Sequence, residues 1–241
     1  MPSAAIHIGT SGWSYEHRKG TFYPEDLGSR DMLGHYAQRL RSVEINSSFY
    51  RLPDRATFEH WRDAVPDGFV FSTKASRYIT HMKKLKNPTA SVRRFFTRVG
   101  ALGHTLGPIL FQLPPRRSFH ERRLVDFLDH LPAKYRYAFE FRDPTWLNDR
   151  AFAALRRHNA ALCIYDLAGF RSPLEITAGF VYLRLHGPGT AYACRYETHA
   201  LARWAKRIST WSESGRTVYC YFDNDERGYA VDNALCLRAM L

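Results

Sequence analysis

The chain has 241 residues, 45% of them hydrophobic and 15% aromatic, enough to fill a substantial core in one large domain or two small ones. Its formal net charge of +12 suits an acidic partner such as nucleic acid or another polyanion. No run approaches the roughly 18 apolar residues of a membrane span, MPSAAIHIGTSGW lacks the basic start and apolar stretch of a signal peptide, and Cys163, Cys194, Cys220 and Cys236 show no CxxC spacing, so a cytoplasmic protein with reduced thiols and no membrane partner is expected.

Apolar, β-branched and aromatic runs alternate with helical patterning along the chain. A strand at 6–9 comes first. A helix over 31–40 then leads to a strand at 42–46, one over 57–64 to a strand at 69–74, and one over 88–106 to a strand at 109–113. Helices over 121–130 and 149–158 precede strands at 137–141 and 161–165. The connection 167–179 is too short for a good helix and reads as irregular. A strand at 180–185, a helix over 199–214, a strand at 218–222 and a helix over 229–241 complete the chain. Eight strands with helices between most of them imply a parallel sheet closing into a single-domain TIM-like (β/α)8 barrel over 1–241, whose sites form at the C-terminal strand ends. An open doubly wound sheet is the alternative, but GTSGW after the first strand has the wrong spacing for a GxGxxG fingerprint.

Strand periodicity then picks out the candidate site. In VEINSSFY, Val43 and Ile45 share one face while Glu44 and Asn46 share the other. In FVFSTK, Ser72 and Lys74 share a face; in YAFEFR, Glu140 and Arg142 do; FVYLRLHG sets Tyr182, Arg184 and His186 together, and VYCYFDND sets Tyr219, Tyr221 and Asp223 together. Gln112 lies near the end of ILFQLPP, and ALCIYD ends in Asp166. With the apolar faces packed on the outer helices, these polar faces point into the barrel. Glu44, Asn46, Lys74, Gln112, Glu140, Arg142, Asp166, Arg184, His186 and Asp223 therefore form a charged ring at one end. The plain alternative is an ion-pair network that polarises the interior without chemistry.

The motifs GTSGWSY, GTFYP, VEINSSFYRLP, FSTKASRYITH, LGPILFQLPP, AFEFRDPTW, YLRLHG and YFDNDERGYAVDNA occur in this order from Gly9 to Ala234. Together they resemble the YecE family, a bacterial domain of unknown function. The resemblance covers nearly the whole chain and implies a TIM-barrel-like α/β fold, in agreement with the strand count; it brings no established reaction, substrate, metal or cofactor. That family usually has tryptophan where this chain has Arg18, which alters one wall of a pocket that Trp13 and Tyr15 would help to form.

Three chemistries suit the ring. A hydrolase or lyase acting on an anionic, phosphate-bearing substrate would hold the anion with Lys74, Arg142 and Arg184. Glu44 or Glu140 would serve as general base, and His186, with Asp223 nearby, as the titrating acid; Asn46, Gln112, Asp166, Trp13 and Tyr15 would complete substrate binding. A metal-dependent phosphodiesterase, by fold analogy with endonuclease IV, would use Glu44, Glu140, Asp166, His186 and Asp223 as ligands, although no HxH, HExxH or paired CxxC is present. A non-enzymatic nucleic-acid or phosphometabolite binder would use KASRYITHMKKLK, where Arg77, Lys83, Lys84 and Lys86 interleave with Tyr78 and His81. A solvated basic loop has the same composition. The sequence does not specify a cofactor or an oligomeric state.

Overall fold

The computed structural model describes residues 3–241. Eight parallel strands form a closed barrel: β1 Ile6–Ser11, β2 Ser42–Ile45, β3 Val70–Lys74, β4 Leu106–Leu113, β5 Tyr137–Phe141, β6 Ala161–Leu167, β8 Phe180–Leu185 and β9 Thr217–Phe222. The two-residue strand β7, Phe170–Arg171, folds back antiparallel on β6. Each barrel strand pairs with the next in chain order; β6 pairs with β8, β5 with β6, and β9 with β1. Every backbone edge of the barrel is thus paired.

The helices cover the outside: α1 Met32–Arg39, α3 Arg55–Asp63, α4 Pro88–Val99, α5 Glu121–Asp129, α6 Asp149–Arg157, α7 Thr198–Glu213 and α8 Tyr229–Ala239, with the one-turn α2 Ser47–Tyr50 directly after β2. Their apolar stripes meet the outward residues of the strands, so Val43, Ile45, Phe71, Ile109, Phe111, Phe139, Ile164, Leu183 and Phe222 all belong to one buried outer core. A second cluster fills the barrel interior: Leu110, Ala138, Ala161, Cys163, Phe180, Tyr182, Tyr219 and Tyr221. The Tyr221 hydroxyl, deep inside, lies 2.7 Å from Ser42 Oγ and 2.8 Å from Ser72 Oγ. The barrel interior is therefore packed, and a ligand can approach only at its ends.

Several sequence boundaries shift. The helix expected over 88–106 ends at Val99 and continues as a 3₁₀ segment, Gly100–Thr105, broken at Gly103 with φ +56°. β4 consequently starts at Leu106. The first strand runs on to Ser11, two residues beyond the expected end, which brings Ser11 to the barrel mouth. The connection after β6 contains no helix; it holds the β7 turn.

Candidate active site at the barrel mouth

The two-residue period of β2, β5, β8 and β9 carries Glu44, Glu140, Arg184, His186 and Asp223 to one place, centred on the Arg184 guanidinium. Its Nη2 donates to Glu44 Oε1 at 2.7 Å and to Asp223 Oδ2 at 3.2 Å, and its Nη1 donates to Glu140 Oε2 at 2.9 Å. Ser11 Oγ donates to Glu44 Oε1 at 2.5 Å, and the Tyr182 hydroxyl to Glu44 Oε2 at 2.6 Å. Both oxygens of Glu44 are occupied by donors. Burial and the neighbouring Glu44 carboxylate hold the Tyr182 phenol well above its usual range, so it stays a donor.

Arg142 and His186 extend the same network; the Arg142 side chain is 10% exposed and His186 is fully buried. Arg142 Nε donates to Glu140 Oε1, its Nη2 lies 3.0 Å from His186 Nε2, and its guanidinium sits 4.9 Å from the centre of the Tyr165 ring. His186 Nδ1 lies 3.0 Å from Asp223 Oδ2. Arginine can only donate, so in this arrangement Nε2 accepts and Nδ1–H donates to the carboxylate: the imidazole is neutral and oriented by Asp223. Burial pushes the Glu140 carboxyl upward, but the Arg142 and Arg184 guanidiniums outweigh it and hold the group well below the usual carboxylate range. Asp223 is likewise lowered, with burial opposed by the bond to His186 and by Arg184. Both are anions at neutral pH.

A cavity of about 360 Å³ opens beside this network. Gln112 and Arg142 are its polar lining; Tyr165, Phe170 and Tyr192 supply aromatic walls. Tyr192 is placed by a tight loop in which its N–H donates to the His186 carbonyl, and its ring meets the imidazole edge-on at 5.4 Å. Gly187 makes this loop possible: φ is +117°, and a Cβ there would come within 2.2 Å of the Ala193 carbonyl oxygen.

The other expected site residues have distinct positions. Lys74 points inward on β3, its ammonium 4.2 Å from the centre of the Phe49 ring. Burial first, and then Arg184, lower its pKa to about 8. Asp166 does not join the network; Cys163 fills the barrel interior and Tyr165 lines the mouth cavity, and Asp166 bonds Arg171 of β7 at 3.2 Å. Asn46, Trp13 and Tyr15 line a separate cavity of about 560 Å³ with Tyr50 and Trp61. The Tyr15 hydroxyl donates to the Ser11 carbonyl at 3.0 Å. Arg18 is fully buried, stacks 4.7 Å over the Tyr15 ring and bonds Asp225, which lies beyond β9. In the basic loop, Arg77 and Lys86 are exposed, Lys83 and Lys84 are partly covered, and the Lys83 ammonium is 6.0 Å from the Tyr78 ring.

Sequence reasoning missed Ser11, Tyr165 and Tyr192; strand parity set Tyr182 on the inward face beside Arg184, but the ring did not include it. Ser11 lay past the expected strand end, and Tyr192 sits in a loop without periodicity.

The donor set does not suit a divalent metal. Among the described residues no three His, Cys, Asp or Glu side chains are arranged to hold one, and the Glu140, Asp223 and His186 atoms that face one another already face the guanidinium groups of Arg184 and Arg142.

A closed parallel barrel with an ionic network at its C-terminal mouth defines the class of protein. The chain belongs to the family described as "Protein of unknown function DUF72", whose model matches residues 7–241. It is 23% identical to UPF0759 protein YunF of Bacillus subtilis (strain 168) over 95% of this chain and 92% of that protein. It is similar to the crystal structure of a DUF72 family protein from Thermotoga maritima MSB8, with 27% identity, a TM-score of 0.88 and 98% of each chain covered. A DUF72 family protein from Enterococcus faecalis V583, 20% identical over 98% of this chain and 95% of that one, shares the fold at a TM-score of 0.82.

Proposed function

We propose that this protein is an acid–base enzyme, a hydrolase or lyase, that takes a small anionic substrate into the 360 Å³ cavity. Arg142 grips the anion and His186 moves the proton. The observation that carries this reading is the position of Arg142: it lines the cavity and also touches His186 Nε2 at 3.0 Å. An anion that draws the Arg142 guanidinium towards the cavity leaves Nε2 with only the longer contact to Arg184 Nη1, at 3.3 Å, and so opens it to a substrate proton, while Asp223 stabilises the imidazolium that forms. Tyr165, Phe170 and Tyr192 fit an apolar or planar body attached to the charge.

The test is calorimetric titration with inorganic phosphate, a phosphomonoester and a small carboxylate. One of these should bind, and Arg142→Ala should weaken it about 10- to 100-fold, the loss of a charge-assisted contact. Binding unchanged by Arg142→Ala would overturn the proposal.

A second reading, non-enzymatic nucleic-acid binding, is supported by the solvent-facing Arg77, Tyr78 and Lys86 beside Lys83. Positive charge interleaved with an exposed ring suits single strands.

A further inference from the structure

All three carboxylates of the network are saturated without Lys74. Glu44 is bonded by Ser11, Tyr182 and Arg184; Glu140 by Arg142 and Arg184; Asp223 by His186 and Arg184. Among the described residues, the Lys74 ammonium is the one cation of the network with no hydrogen-bond or ion-pair partner; it has only the face of Phe49. A lysine retained for structure would take a carboxylate, because burying an unpaired charge is costly. β3 also lies between β2 and β4, whose ends supply Asn46 to one cavity and Gln112 to the other. Lys74 is thus an inward amine on the strand between the two that reach the cavities.

We propose that Lys74 is a covalent nucleophile that forms a Schiff base with the carbonyl carbon of an anionic aldehyde or ketone. This deepens the reading of the mouth as an acid–base site and rests on it, choosing lyase chemistry over hydrolysis. The neutral Nζ donates its lone pair to the carbonyl carbon, and the C=O π pair moves to oxygen, which takes a proton. The carbinolamine then loses that oxygen as water, with the second amine proton, to leave C=N. Protonated, the imine accepts the electron pair of a bond broken at the neighbouring carbon, so no external oxidant or reductant is needed. Arg142 holds the substrate's anionic group, and His186 is the proton carrier.

Charged groups face Lys74 from every side: Glu44 on β2, Glu140 on β5, Arg184 on β8 and Asp223 after β9, with His81 in the π-helical turn Tyr78–Met82. Their net outcome, with burial, is the lowered value near 8. At pH 7 the neutral fraction is then about 300 times that of an ordinary lysine.

The experiment is reductive trapping. The protein at pH 7 is incubated with pyruvate, glyoxylate or glycolaldehyde phosphate and sodium cyanoborohydride, and the modified lysines are located by peptide mass mapping. Lys74 should be modified at least tenfold faster than Lys19, Lys83, Lys84, Lys86, Lys134 and Lys206, given the neutral fraction above. The excess should fall about tenfold in Arg142→Ala with these anions, the loss of a charge-assisted contact, but be unchanged with neutral propanal. Lys74 reacting no faster than the other six would overturn the Schiff base, and if Arg142-dependent anion binding survives in calorimetry, the broader reading of the site stands without it. Fast trapping with propanal alone would keep the nucleophile and remove the anionic substrate.

Discussion

Arg184 Nη2 lies 2.7 Å from Glu44 Oε1, with the two side chains 1% and 0% exposed. A charge pair closed to this degree gains little over an apolar pair but punishes the loss of one partner, because the survivor stays buried without a counter-charge. Arg184→Ala strands Glu44 and Glu140 together. We expect it to lower the unfolding free energy by about 3–5 kcal/mol in urea titration, whereas Arg142→Ala, at 10% side-chain exposure, should cost clearly less. Equal losses would show that the two arginines do not differ in role.

Acid should unfold the protein through Glu140 and Asp223. Their folded pKa values are depressed, so both contribute stability above their unfolded values near 4, and that stability is lost as pH falls below them through the folded values. The urea midpoint should drop steeply below about pH 4. Glu140→Gln should be weaker at pH 7 and flatter on the acid side; an acid limb identical to that of the native protein would exclude Glu140 as its source.

Lys74 acts in the opposite direction. Its folded pKa, about 8, lies below the unfolded value, so the unfolded chain binds more protons between about pH 8 and 10.5 and stability rises with pH across that window. Lys74→Met should therefore be the more stable protein at pH 7, by about 3 kcal/mol, and the gap should close by pH 10.5. A gap that does not vary with pH would mean that the lysine is not titrating in the folded state.

Nucleic-acid binding, where found, should be weak, salt-sensitive and indifferent to sequence, since Arg77, Lys83, Lys84 and Lys86 can supply phosphate contacts but no base readout. The log of affinity should fall with log salt by about 0.9 per phosphate neutralised on duplex DNA. Charge reversal at Lys83, Lys84 and Lys86 should weaken binding and flatten that slope. An unchanged slope would return the loop to a solvated surface.

Much of the mouth could be read from strand parity. Glu44, Lys74, Glu140, Arg142, Arg184, His186 and Asp223 each sit an even number of residues from other inward positions on their strands, and closure of the barrel needs no further information to gather them. Asp166 was placed in the ring by its position at a strand end alone; an odd step from Cys163 and Tyr165 turns it outward to Arg171. The division of the ring into a saturated centre and a rim beside a cavity could not be read, because it depends on side-chain reach across the barrel. The link from Tyr182 to Glu44 spans 138 residues. Arg18 shows the same limit: only the fold brings it to Asp225.

The pairing of β1 with both β2 and β9 sets the order in which this protein can be completed on the ribosome. Ile6 to Thr10 leave the exit tunnel about 210 residues before their partners Val218 to Phe222. At about 5–20 residues per second, β1 waits roughly ten to forty seconds with an unpaired edge, and β8 waits briefly beside it. Sheet edges left open in this way pair with whatever strand is near. Nascent chains stalled before residue 217 should therefore be the most aggregation-prone form of this polypeptide, and their rescue should depend on release of β9.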